Sequence, residues 1–169
     1  MSELQIWESL QTIAIAAGLG ALVGAEREYA GKPAGLRTQM LVCTTAAFLV
    51  VLGFSVVEGF SEETGVGVQA DPIRILQAIV IGISFLGAGT ILQDRSGEVE
   101  GLTTAASVLM TASIGAAVAL GHTILAAIVA VAMVVLVASL GVLETKLASR
   151  FRRKQTTSRA SAGSRTAAG

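Results

Sequence analysis

Residues 102–143, "LTTAASVLMTASIGAAVALGHTILAAIVAVAMVVLVASLGVL", run for 42 positions without Asp, Glu, Lys or Arg. As one continuous helix the stretch would be about 63 Å long at 1.5 Å per residue, roughly twice the ~30 Å hydrocarbon core of a bilayer. Its only interruption is the pair Gly121–His122. A tight turn at that pair makes two membrane spans of the stretch, 102–121 and 123–143.

Three further runs without charge precede it, at 9–25, 39–57 and 75–93. Each of the five has the length a helix needs to cross a bilayer. Apolar residues make up 53% of the chain and charged residues 14%, against about a quarter charged in soluble proteins. A soluble helical bundle would show polar faces recurring at helical spacing, and these runs are apolar all round. The predicted fold is therefore all-α, a polytopic membrane helical bundle of five transmembrane helices. Residues 1–8 form an outside N-terminus, 9–143 the transmembrane domain, and 144–169 a basic, disordered cytoplasmic tail.

Basic residues orient the bundle, because short cytoplasmic loops are enriched in Lys and Arg. Arg27, Lys32, Arg37, Arg95 and the tail cluster Lys146, Arg150, Arg152, Arg153, Lys154, Arg159 and Arg165 fall on one side of five spans. Only Arg74 falls on the other, beside Glu3, Glu8, Glu58, Glu62, Glu63 and Asp71. The expected orientation is N-terminus outside and C-terminus cytoplasmic. The lone Cys43 cannot form an intramolecular disulfide and reads as packing. The tail's basic cluster suits anionic lipid headgroups, and no nucleic-acid role is expected for it.

Small residues mark the spans: Ala16, Gly20 and Gly24 in the first, Ser107, Thr111, Gly115 and Ala119 in the fourth. In lipid such faces let helix backbones approach closely, within one chain or across a homodimer. Asp71 followed by Pro72 reads as an N-cap and first helical residue, with Arg74 an interface anchor or, with Asp71, the lining of an outer vestibule. Gly82, Gly87 and Gly89 weaken the third span, as close packing or as a broken helix facing a polar cavity. Thr103 or Thr104, just after Gly101, is expected to cap the fourth span.

Two charged loops, "GAEREYAGKPAGLRT" (24–38) and "QDRSGEVEG" (93–101), share the cytoplasmic face in this topology. Glu26, Arg27, Arg37, Asp94 and Glu100 then form one polar cluster. Either it fixes topology as a solvated face, or Glu26 and Arg27 are drawn inward to Arg37 or the Gly-rich turn as a gate or docking patch. Asp71, Glu26, Asp94 and Glu100 are the carboxylates available to a magnesium ion, but no spacing among them demands a metal. With one histidine, no P-loop and no His-Glu-x-x-His, enzyme chemistry is not expected, and no cofactor is called for.

Four ordered motifs, "GAERE" (24–28), "AGLRT" (34–38), "DPIRILQAIVIGISFLGAGTIL" (71–92) and "GLTTAASVLMTASIG" (101–115), resemble the bacterial MgtC/SapB membrane protein family. The resemblance covers roughly residues 10–140. Ser84 stands where the family usually has Gly, and Leu109 where Trp is common. Longer members carry an ACT-like cytoplasmic domain after the last span, and this chain reads as a short, membrane-only member. The resemblance implies an inner-membrane protein tied to magnesium limitation and, in pathogens, to survival in macrophages. It implies a non-enzymatic regulator acting on another membrane complex such as the ATP synthase, or alternatively a transporter of magnesium or another cation.

Overall fold

The computed structural model describes residues 3–64, 71–93 and 99–141. Asp94 and the tail 144–169 lie outside the described residues. Five helices among them are long and apolar enough to cross a membrane: α1 (Glu3–Tyr29), α2 (Leu36–Thr64, apolar through Gly59), α3 (Pro72–Thr90), α4 (Leu102–Ala119) and α5 (Thr123–Gly141). Each span predicted from the charge-free runs is a helix. Between α3 and α4 a two-residue antiparallel ladder pairs β1 (Leu92–Gln93) with β2 (Val99–Glu100). The turn at Gly121–His122 is as expected: Gly121 takes φ +84°, and the His122 N–H donates to Ala117 O at 2.9 Å.

Compactness divides the chain into two units, residues 1–134 and 135–169. In the second unit residues 135–141 are described, as helix, with Ser139 Oγ donating to Leu136 O at 2.8 Å.

In the first unit α4 is the central helix, in contact with α1, α2 and α3. Half of its span is buried, against 11% for α3. One side of α4 offers Ile114 and Val118 to a core with Ala16 and Val23 of α1, Cys43 and Ala47 of α2, and Ala126 and Ala130 of α5. Another side offers Val108, Ala112 and Ala116 to Val42, Ala46 and Val50 of α2 and Ile79 of α3. The residues are small because lipid tails are as apolar as the helices. Attraction between helices then comes from close van der Waals contact, and small side chains permit it. At Gly115 this closeness is extreme: a Cβ there would collide with the Cys43 carbonyl oxygen of α2. Gly20 and Gly24 do the same for α1, a Cβ at Gly24 lying 2.6 Å from Leu36 Cα.

Of the two readings of Gly82, Gly87 and Gly89, the broken helix does not hold, because α3 is unbroken from Pro72 to Thr90. The intact ladder of helix hydrogen bonds outweighs their poor propensity. A Cβ at Gly87 would touch Ala105 of α4 at 3.5 Å, whereas Gly82 and Gly89 face open space. The chain breaks after them, at Ile91, whose extended backbone leads into the ladder. Nor does Thr103 or Thr104 cap α4. Its N-cap is Gly101, at φ +89°, with no side-chain cap. Any Cβ at Gly101 would run into the Thr90 carbonyl oxygen, and both threonines lie already inside the helix.

Candidate functional site

The stretch after Gly24 is dense in charge because it ends one helix, starts the next and reaches into a third. α1 finishes at Tyr29, Gly31 turns the chain at φ +64°, and α2 begins at Leu36. Glu28 closes the connection by accepting the Leu36 N–H at 2.8 Å on Oε2, which satisfies an orphan donor at the α2 start. A Cβ at Gly35 would press on that carboxylate, 2.9 Å from Oε2.

Arg27, one helical turn after Gly24, points inward and is 1% exposed. Its Nη2 donates to Thr104 Oγ1 of α4 at 2.8 Å and to Pro33 O at 3.3 Å. Deeper in the bundle Gln39 of α2 is wholly buried and donates from Nε2 to Ser107 Oγ at 3.1 Å and Ala34 O at 3.2 Å. Ser107 Oγ donates in turn to Thr104 O at 2.8 Å, and Thr111 Oγ1 to Ser107 O at 2.9 Å. Arg27, Thr104, Ser107, Gln39 and Thr111 thus form a buried polar seam joining α1, α2 and α4. Arg27 Nε and Nη1 and Gln39 Oε1 have no partner among the described residues. Buried polar atoms without partners are rare and costly, so this seam is the candidate site.

The other predicted residues fall differently. Glu26 is half-buried and Arg37 exposed. Arg27 meets neither Arg37 nor a glycine turn, because its side chain turns inward to Thr104. Glu100 pairs through its backbone with Leu92 in the ladder. Asp71 does cap α3, accepting the Ile73 N–H at 3.0 Å, and Pro72 is the first helical residue. Its pairing with Arg74 is 4.0 Å long between side chains 53% and 85% exposed, too loose and too solvated to contribute much.

At the other end of α1, a cleft of about 300 Å³ opens between α1 and α2, with Gln5, Glu8, Ser9, Thr12, Ser55 and Glu58 supplying its polar lining. Asp71 and Arg74 are not among its walls. No group of three His, Cys, Asp or Glu able to hold a metal occurs among the described residues.

Sequence reasoning missed Glu28, Gln39, Ser107 and Thr111 as site residues. The i, i+3, i+7 spacing of Thr104, Ser107 and Thr111 places their hydroxyls on one face of α4, a signal for a polar seam that small-residue packing concealed.

The sequence pattern of the MgtC family matches residues 13–146. The chain belongs to the MgtC family. It is 41% identical over 104 residues to protein MgtC of Salmonella typhimurium LT2, covering 62% of this chain and 40% of that one. It is 31% identical over 112 residues to protein SapB of Bacillus subtilis, covering 66% and 47%. It is 40% identical over 114 residues to Escherichia coli K12 YhiD, named as a candidate magnesium transporter, covering 66% and 50%. The chain spans about half the length of the curated relatives it matches. No solved structure matches it. Membership in this family and the five apolar helices place the chain in a membrane.

Proposed function

We propose that this MgtC-family chain is a non-enzymatic regulator in magnesium and energy homeostasis. It lies in the bacterial inner membrane, N-terminus outside, and works through helix contacts with another membrane complex. One observation carries the choice of regulator over transporter: among the described residues the buried charge of the bundle is a guanidinium. Arg27 sits where α1, α2 and α4 meet, and a doubly charged cation passing 4 Å from it would be opposed by about 8 kcal/mol, twice the ~4 kcal/mol for two unit charges at an effective dielectric constant near 20. Magnesium sites instead gather oxygen ligands and one or two carboxylates. The outer helices supply surface for contacts: α3 and α5 are each only 11% buried and present Ile81, Phe85, Ile124 and Ile128 outward.

Photo-crosslinkers placed at Phe85 and Ile128 in native membranes test the reading. Capture of one defined membrane complex, increasing on magnesium limitation, is the expected result. Capture of the chain alone or of random membrane proteins would remove its basis.

A specific observation favours transport as the second reading. The cleft carrying Glu8 and Glu58 is an acidic mouth, and a relative bears a transporter name. Neutral Glu8→Gln and Glu58→Gln variants would lose flux if that cleft admits the ion.

A further inference from the structure

Two positive elements meet in one corner of the bundle. The first is the start of α4, an 18-residue helix whose N-cap is the bare Gly101. The N–H groups of Leu102, Thr103 and Thr104 find no acceptor among the described residues. Such a helix start carries roughly half a positive charge. The second is Arg27, which is 1% exposed and hydrogen-bonded through Nη2 to Thr104 in that same turn. Its Nε and Nη1 are without partners among the described residues. The only ion pair among the described residues is Arg74 with Asp71, at the start of α3. A buried guanidinium set against the positive end of a helix raises the energy of both unless an anion joins them.

We propose that the α4 N-terminus and Arg27 form a binding site for a phosphate group, presented by free inorganic phosphate or by the phosphomonoester headgroup of phosphatidic acid. Helix N-termini with free N–H groups bind phosphate, and arginine is its preferred side-chain partner. Three backbone donors and two guanidinium nitrogens exceed what the planar oxygens of one carboxylate accommodate, and they suit a tetrahedral group with several free oxygens. Leu102 and Thr103 are exposed, Arg27 reaches the same turn through its Nη2 bond to Thr104 Oγ1, and engaging its shielded Nε and Nη1 requires the guanidinium to turn toward that helix start. The remaining hydrogen bonds of Arg27, to Pro33 O and Thr104 Oγ1, hold it in place, and Glu26, its neighbour in sequence, acts on it through space without forming an ion pair among the described residues. Phosphate binding goes beyond the regulatory reading, and partner capture can fail without affecting it.

The test uses the full chain in lipid nanodiscs, with the Arg27 Nε–H nitrogen resonance and a binding isotherm as readouts. Inorganic phosphate is titrated into phosphatidylcholine discs, and phosphatidic acid is supplied in a second disc series. Saturable shifts of the Arg27 signal with either probe are expected, and the probe that gives them identifies the source. Arg27→Met is expected to abolish binding. Since that variant loses a tie between helices, Thr103→Asp serves as the second: it changes an exposed side chain and supplies a carboxylate to the same N–H groups. It is expected to keep the fold and weaken binding by about tenfold or more, the loss of one charge-assisted hydrogen bond. No response to either probe in the folded wild type, or unchanged affinity in Thr103→Asp, would overturn the assignment.

Discussion

Substituting Gly115 by Ala separates the account's packing claim from simple helix propensity. Gly115 lies in the interior of α4, where Ala is favoured over Gly by about 1 kcal/mol. Its missing side chain is where α2 passes: a built Cβ meets the Cys43 carbonyl oxygen and lies 2.9 Å from the carbonyl carbon and 3.1 Å from Cα. All three atoms are backbone, so no rotamer change relieves the clash, and α2 must move away from α4. Overpacking costs about 1–3 kcal/mol, and the upper end applies where backbone must shift. The net is a loss of about 2 kcal/mol, a factor of roughly 30 in the folded-to-unfolded ratio. Gly82→Ala is the control, since Gly82 is also helical but has nothing within 4 Å of its built Cβ. It gains up to about 1 kcal/mol. Reversible unfolding of the purified protein in mixed micelles measures both. Equal effects, or a stabilising Gly115→Ala, would refute the contact between α2 and α4.

Thr104→Val should destabilise by about 1–3 kcal/mol in the same assay, because it strips the buried guanidinium of a partner. Adding Arg27→Met should recover most of that loss, since removing both members is less costly than leaving one unpaired. Glu28→Ala should cost about 1 kcal/mol through the lost cap at Leu36 N, and Glu28→Gln much less, as unfolding of the two variants will show. Cys43 is fully buried, so a membrane-permeant maleimide should label it only as the protein unfolds; rapid labelling of the native state would contradict the core described.

The five spans were legible because membrane helices announce themselves through missing charge, and the Gly121–His122 turn through length alone. Asp71–Pro72 was legible as well, because a cap and its proline are neighbours in sequence. The buried seam was not. Arg27 and Thr104 are 77 positions apart, and Gln39 and Ser107 are 68 apart, with no local pattern linking them. Gln, Ser and Thr also pass as neutral within an apolar run. The Gly-rich end of α3 left packing and a broken helix both open, because weak local propensity does not reveal that a helix ladder with no competing partner in lipid holds.

The most direct measurement is magnesium flux into proteoliposomes of the purified chain, read by an entrapped indicator, for the wild type, Arg27→Gln, Glu8→Gln, Glu58→Gln, Glu26→Gln and Asp71→Asn. The regulatory account predicts no flux above empty liposomes for the folded, inserted wild type, with Arg27 barring the ion. Saturable wild-type flux, abolished by loss of a carboxylate at Glu8 or Glu58, would contradict it and make the acidic cleft the mouth of an ion path.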